Sequence, residues 1–189
     1  MPTPTRADRR FTYDDFLLFP DDGQRHEIID GEHYVTPSPV IRHQELVGRL
    51  YFAIAAHLET HPLIGEVFLS PLDVVFSNWD VVEPDLLFVA ATQRDIIGEK
   101  NVQGAPALVI EVLSPGTRRR DQGIKRELFE RTGVREYWLV DPDKDQVHVY
   151  RRADDGAGFA RAVAVTTDLE TPLLPDFSLS LNRLFARRR

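Results

Sequence analysis

At 189 residues, with 42% hydrophobic and 28% charged content, the chain suits one soluble globular domain with a sizeable core. Without cysteine it can form no disulfide, thiolate metal site or cysteine nucleophile, which fits a cytoplasmic location; no apolar run approaches the roughly 20 residues of a membrane span, and no signal-peptide apolar region opens the chain. A formal charge of −7 argues against nucleic-acid binding over the whole surface but allows a local basic groove, because acids gathered for a metal also lower the total.

Met1 to Arg10 is polar and is expected to be disordered, and residues 186–189 form a basic tail, leaving a domain over residues 11–185. Thr12 to Leu18 reads as a short helix with Thr12 as N-cap and Asp14 and Asp15 in its first turn. Arg25 to Pro37 reads as a hairpin around a tight Asp30-Gly31 turn. Ser38-Pro39 opens an amphipathic helix over about Val40 to His61, whose apolar stripe is Leu46, Val47, Leu50, Ile54 and Leu58. Gly65 to Ser77 reads as a strand, Ser77 to Asp80 as a turn, and Val81 to Ala90 as the next strand. Gln93 to Gly104 is a polar loop with room for a helical turn.

Leu108 to Leu113, bounded by Pro106 and Pro115, is rich in branched apolar residues and reads as a strand buried on both faces. Glu111 sits in its middle, a costly place for a carboxylate unless a cation or hydrogen-bond donors meet it. After a Ser-Pro-Gly-Thr turn, a helix from about Asp121 to Thr132 is stopped by Gly133, and Lys125 follows Asp121 by four residues on one face. Tyr137 to Val140 returns as a second apolar strand, parallel to the first because a helical crossover joins them. Beyond it, Gln146 to Arg152 and Ala160 to Thr166 read as strands, separated by a turn at Asp154 to Gly158, and Pro172 to Phe185 as a tail ending in a short helix.

Asp85 and Glu111 enter strands from adjacent parts of the chain, so the two carboxylates are expected to converge at one end of a sheet. Converging oxygens suit Mg²⁺ (or Mn²⁺), which takes one or two carboxylates plus water and substrate phosphate. Such an ion polarises a phosphodiester, and a nearby lysine, here Lys125, orients the attacking water or offsets developing charge. Spacing alone equally allows Asp85 as a turn residue and Glu111–Lys125 as a structural ion pair.

Four segments carry a resemblance: Glu83-Pro84-Asp85; Pro106 to Thr117, containing Glu111-Val-Leu-Ser-Pro; Asp121-x-x-x-Lys125; and Gly133 to Pro142, containing Glu-Tyr-Trp-Leu-Val-Asp. They resemble the PD-(D/E)XK nuclease superfamily and, within it, the bacterial family known as putative restriction endonucleases. The likeness extends to Glu27-Ile-Ile-Asp-Gly-Glu32, Pro37-x-Pro39 and His43. The order of elements, a helix, three strands, a helix and a strand with strands added at both ends, already reads as an α/β core around a mixed sheet; the resemblance implies an αβββαβ core, Mg²⁺-dependent endonucleolytic cleavage of DNA, and a homodimer. It carries Asp85 onto the motif's aspartate and Glu111 onto its second acid, both as metal ligands. The lysine expected two residues later is absent, because Leu113 stands there; Lys125 takes over from the helix, and Glu27 joins as an auxiliary acid and third metal ligand. Phe129 replaces the family's tyrosine one helical turn after the lysine.

Arg118, Arg119 and Arg120, between Glu111 and Lys125, are candidates for contact with DNA phosphates. His43 reads more simply as a capping or packing residue than as a base, and the other histidines show no metal-ligand spacing. No helix-turn-helix accompanies the domain. The competing reading is a non-catalytic oligomeric or binding module that keeps the nuclease fold.

Overall fold

The computed structural model describes residues 10–36, 38–153, 156 and 158–187, so the expectations for residues 1–9 and 188–189, and part of the turn at 154–158, fall outside it. Thr12 caps the first helix: Asp15 N donates to its hydroxyl at 3.3 Å while Thr12 N donates to Asp15 Oδ2 at 2.9 Å. This reciprocal box fixes α1 (Tyr13–Phe16). The hairpin β1 (Arg25–Ile29) and β2 (Glu32–Thr36) turns through Asp30 and Gly31, both at positive φ, the conformation that a tight two-residue hairpin requires. Then α2 (Ile41–Thr60) buries the whole expected stripe, Leu46, Val47, Leu50, Ile54 and Leu58, together with His43.

Two expected strands are each broken. Gly65 to Ser77 divides into β3 (Gly65–Leu69) and β4 (Val74–Ser77), and Val81 to Ala90 into β5 (Asp80–Val82) and β6 (Leu86–Ala90). Pro71 and Pro84 lie in the gaps, and neither can donate to a ladder. The halves separate into different sheets. The polar loop holds a 3₁₀ segment (Ala91–Ile96) and β7 (Val102–Gln103), ahead of β8 (Leu108–Val112).

The crossover begins with a helical turn, α3 (Arg118–Arg120), passes through a π-helical segment (Asp121–Lys125), and ends in α4 (Arg126–Thr132). Gly133 terminates it in the left-handed conformation, φ 97°. There follow β9 (Glu136–Asp141), β10 (Gln146–Arg151), β11 (Val163–Val165), β12 (Asp168–Glu170), β13 (Ser178–Ser180) and α5 (Leu181–Phe185). Of the strand expected at Ala160 to Thr166, only β11 forms.

One sheet has the order β11-β10-β9-β8-β6-β3 and a second β2-β1-β5-β4-β7. In the first, β8 and β9 run parallel as the crossover demands, while β6 is antiparallel to both β3 and β8, so the sheet is mixed. The αβββαβ core is therefore α2, β3, β6, β8, the crossover helix and β9, with β4 and β5 looping out between β3 and β6. Alternation along β8 sends Leu108, Ile110 and Val112 to a cluster with Leu46, Leu50, Ile54 and Trp138. Val109 goes to the opposite cluster, with Leu113, Leu128, Phe129 and Tyr137. Glu111 points to that second side. No helix among the described residues is long and apolar enough to cross a membrane.

Leu50 is fully buried between α2 and the sheet. Leu50→Ala should cost about 2–5 kcal/mol, read as a lowered urea midpoint at unchanged slope. A loss under about 1 kcal/mol would mean that α2 does not seal this side of the core.

Candidate active site

Pairing of β6 with β8 runs Leu86↔Ile110 and Leu87↔Val109. Continued by one residue, this register sets Asp85 opposite Glu111. Directly opposed positions bring Cβ atoms to roughly 4.5–5.5 Å, and like charges there repel. Both residues are buried, as are Glu27 on β1, Asp121 and Lys125. Cations and donors fill the space between these acids. Lys125 Nζ donates to Glu27 Oε1 at 2.8 Å and meets Glu111 Oε1 in a closer ion pair. Arg25 Nη1 donates to Asp85 Oδ1 at 2.8 Å, Val112 N donates to Asp85 Oδ2 at 2.8 Å, and His43 Nε2 lies 3.0 Å from the same oxygen. Glu83 N donates to Glu27 Oε1 at 3.1 Å, and Arg120 Nη2 stands 3.6 Å from Glu27 Oε2.

Four buried acids thus share three cations, Arg25, Arg120 and Lys125, and their protonation divides accordingly. Burial alone would raise Asp85, but His43, Arg25 and the Val112 N–H bring it down to about 2. Burial likewise works against ionised Glu27, yet Lys125 and Arg120 hold it below its ordinary value. Glu111 is pushed well up, by burial and then by Asp85, Asp121 and Glu27, with Lys125 opposing. Asp121 is also raised, chiefly by burial. Half-buried Glu83 rises to about 7 through burial and its neighbour Asp73. Burial would lower Lys125, but Glu111 and Glu27 more than reverse this and keep it charged.

Of the residues singled out in the sequence, Asp85, Glu111, Glu27 and Lys125 meet in this cluster. The three consecutive arginines do not point the same way, because successive side chains on a helix are about 100° apart. Arg118 is bound to Asp141 at 2.8 Å and to Asp143 at 2.5 Å. Arg120 turns inward to Thr36, Glu27 and the Tyr34 ring. Only Arg119 is exposed. Phe129 is fully buried, its ring packed edge-on against Tyr137 at 4.9 Å. Arg25 and His43 are cluster members that the sequence reading did not place there. A signal for Arg25 existed: it lies two residues before Glu27 on one strand and so shares its face. For His43 the signal was its place in the family likeness; spacing gave none, because its partner Asp85 is distant in the chain.

Hard divalent ions are matched by oxygen-rich sites. Glu27 Oε2 and Glu111 Oε1 are buried without a hydrogen bond and meet only cations, so acid lone pairs remain in surplus. Among the described residues no group of three or more His, Cys, Asp or Glu could hold a metal ion. A site for Mg²⁺ or Mn²⁺ would rest instead on the opposed pair, Asp85 and Glu111; Glu27, expected as a third ligand, forms no three-acid group with them, because Lys125 and Arg120 take its oxygens.

The mixed sheet, helical crossover and acids opposed at the sheet end define a restriction-endonuclease-like fold. A crystal structure of a putative nuclease belonging to DUF820 from Anabaena variabilis shares that fold, with a TM-score of 0.77 over 93% of this chain and 97% of that one at 22% identity. The model of the Uma2 family, described as "Putative restriction endonuclease", matches residues 13–182, and the chain belongs to this family. An uncharacterized protein of Synechocystis sp. is 29% identical over 136 residues, 70% of this chain and 69% of that protein.

Raised acid pKa values mean that the folded state holds protons the unfolded chain releases. Their stabilising effect is complete below the ordinary glutamate value of 4.5 and is lost as pH climbs towards Glu83's value of about 7 and through Glu111's raised one. The depressed pair, Asp85 and Glu27, acts in the other direction, losing stability only as pH falls through their lowered values. His33 and His57, which burial holds below the ordinary imidazole value, act in the opposite direction between about pH 5 and 7, so the comparison is made between variants. In EDTA the melting temperature of the wild type relative to Glu111→Gln should fall from pH 5 to pH 8. A wild type that gains on Glu111→Gln over that range would contradict this charge assignment.

Proposed function

We propose that the protein is a Mg²⁺- or Mn²⁺-dependent endodeoxyribonuclease hydrolysing phosphodiester bonds in DNA. The observation that carries this reading is the opposed, buried pair of Asp85 and Glu111 with Lys125 beside it. Membership of a family described as restriction endonucleases supports it. In this reading Asp85 and Glu111 hold the ion, with Glu27 as an auxiliary acid. The bound ion supplies a polarised phosphoryl oxygen and a more acidic water. Lys125 carries positive charge close to where negative charge develops, in a site shielded from water, where such charge is most effective. Arg119 is the free member of the basic triplet for contact with the DNA backbone, while Arg118 and Arg120 are held by acids.

Cleavage of supercoiled plasmid in Mg²⁺ or Mn²⁺ tests the proposal, with EDTA and Glu111→Ala as controls. Activity that survives Glu111→Ala, or none in the wild type with either ion, rejects it. Lys125→Met should cut the metal-dependent rate by roughly 10²–10³. Because Lys125 is 1% exposed and bound to two acids, the same change should also destabilise the fold by about 3–5 kcal/mol. Cleavage is therefore compared at a temperature where the variant is folded. Loss of stability with no wild-type cleavage to lose supports the second reading, a closed ion-pair network in a non-catalytic module. That reading is favoured by one observation: Asp85 already has Arg25, His43 and Val112 N around it.

A homodimer suits cleavage of both strands of a near-symmetric duplex. Sedimentation at about 50 μM should show twice the mass of the chain, and a monomer there removes the two-fold scheme.

A further inference from the structure

The charged cluster is sealed from solvent almost everywhere. Side-chain exposure is 2% for Lys125 and Asp85, 3% for Glu111, 1% for Glu27 and 6% for His43. Lys125 has both of its acids within contact distance and presents nothing outward. Two guanidiniums reach further out, Arg120 at 13% and Arg25 at 21%. Arg120 is tied down on several sides, by Thr36, Glu27 and the Tyr34 ring.

Arg25 is held differently. Both of its hydrogen bonds, to Asp85 Oδ1 at 2.8 Å and to Glu83 O at 3.2 Å, come from Nη1 alone. Among the described residues Nε and Nη2 have no hydrogen-bond partner, and neither nitrogen is among the buried unpaired atoms. A guanidinium donates from this edge through two parallel N–H groups, a spacing that matches two oxygens of a phosphate or carboxylate. The tether through Nη1 fixes the plane of the fork and lowers the entropy lost when an anion is caught. Asp85 and Glu83 hold it against the strand end where Asp85 opposes Glu111.

We propose that Arg25 binds the substrate phosphodiester, two of whose oxygens are received by the free Nε–Nη2 edge while Nη1 stays on Asp85. This rests on the phosphodiester substrate proposed above and makes Arg25 a catalytic residue of that site. The carboxylate that faces the ion and the cation that meets the phosphate are then joined by one hydrogen bond. An anion docked there lies near Asp85, Glu111 and Glu27, the acids whose charge Arg25 offsets. Lysine could replace the charge of Arg25 but not its two-pronged edge.

The test has two arms. In the first, the arginine Nε–H resonances of ¹⁵N-labelled wild-type protein are followed in EDTA during titration with dimethyl phosphate, with sodium chloride at matched ionic strength as control. The Arg25 Nε–H should shift saturably with dimethyl phosphate and stay still with chloride. In the second, binding of a fluorescein-labelled 20-base-pair DNA duplex is measured in EDTA by anisotropy. Arg25→Lys should weaken it about tenfold, the loss expected when a bidentate contact becomes a point charge. An Arg25 Nε–H that does not respond overturns the proposal, as does an Arg25→Lys protein that folds and binds the duplex as tightly as wild type. If Arg25→Lys does not fold, the first arm decides by itself. Plasmid cleavage judges the nuclease reading separately: without cleavage that reading falls and takes the catalytic role of Arg25 with it, an Arg25 shift then marking a phosphate site alone, whereas cleavage with an inert Arg25 overturns this proposal and leaves that reading standing.

Discussion

Two carboxylates face each other across adjacent strands, and the arrangement around them answers that repulsion. The ladder between β6 and β8 sets Asp85 opposite Glu111 in the protein interior, where unpaired charge is far more costly than at the surface. Every nearby element contributes a compensating group. The first hairpin supplies Arg25, α2 supplies His43, the backbone of β8 supplies Val112 N, and the crossover helix supplies Lys125. These elements are distant in sequence, so the cluster forms only when both sheets and two helices have come together. A site of this kind holds little of its geometry in any isolated segment.

The second sheet has its explanation here too. Its strands β1 and β5 bring Arg25, Glu27 and the Glu83-Pro84-Asp85 corner towards the end of the first sheet. Pro84 ends β5 and so lets the chain change sheets immediately before Asp85. Beyond the break, Ser70 N donates to Asp85 O at 3.1 Å, which satisfies the backbone at the point where ladder pairing gives way to the corner. The carboxylate caps no turn at this corner; its oxygens meet Arg25, Val112 N and His43.

Where a pattern is local, the sequence was a sound guide to the fold. The helical stripe from Leu46 to Leu58, the Asp30-Gly31 turn and the β8–crossover–β9 unit all depend on neighbours a few residues apart or on the handedness of one connection. Apolar runs that cross from one sheet to another misled it. Val81 to Ala90 is hydrophobic on both sides of Pro84, and periodicity alone does not say that Val82 and Leu86 pair with different partners. Among the site residues, Asp85, Glu111, Glu27 and Lys125 were recognisable by their motif. Arg25 and His43 were not identified as members, because a long-range contact to an acid leaves no spacing behind in the chain. The arginine triplet was legible as charge but not as geometry: composition shows three like charges together but not that a helix aims them in three directions.

The absent strand lysine raises a geometric problem that the π-helical segment helps to solve. Leu113, two residues after Glu111, is buried in the core and offers no charge, so the cation must come from the helix above. In a regular α-helix, residues five apart are separated by about 500°, which leaves them roughly 140° out of alignment. Arg120 and Lys125 are five apart, yet they approach the two oxygens of one carboxylate, Glu27. A π turn, with its i to i+5 periodicity, brings such residues back to one face. It lies at Asp121–Lys125, between these two cations. The local irregularity also leaves the Asp121 carbonyl to accept a hydrogen bond from the Tyr137 hydroxyl at 3.1 Å, so the widened turn is anchored to β9. The helix therefore sends two cations to one acid while α4 continues undisturbed towards Gly133. A segment that looks like an ordinary helix in sequence works as a spacer whose extra residue sets the direction of the charge.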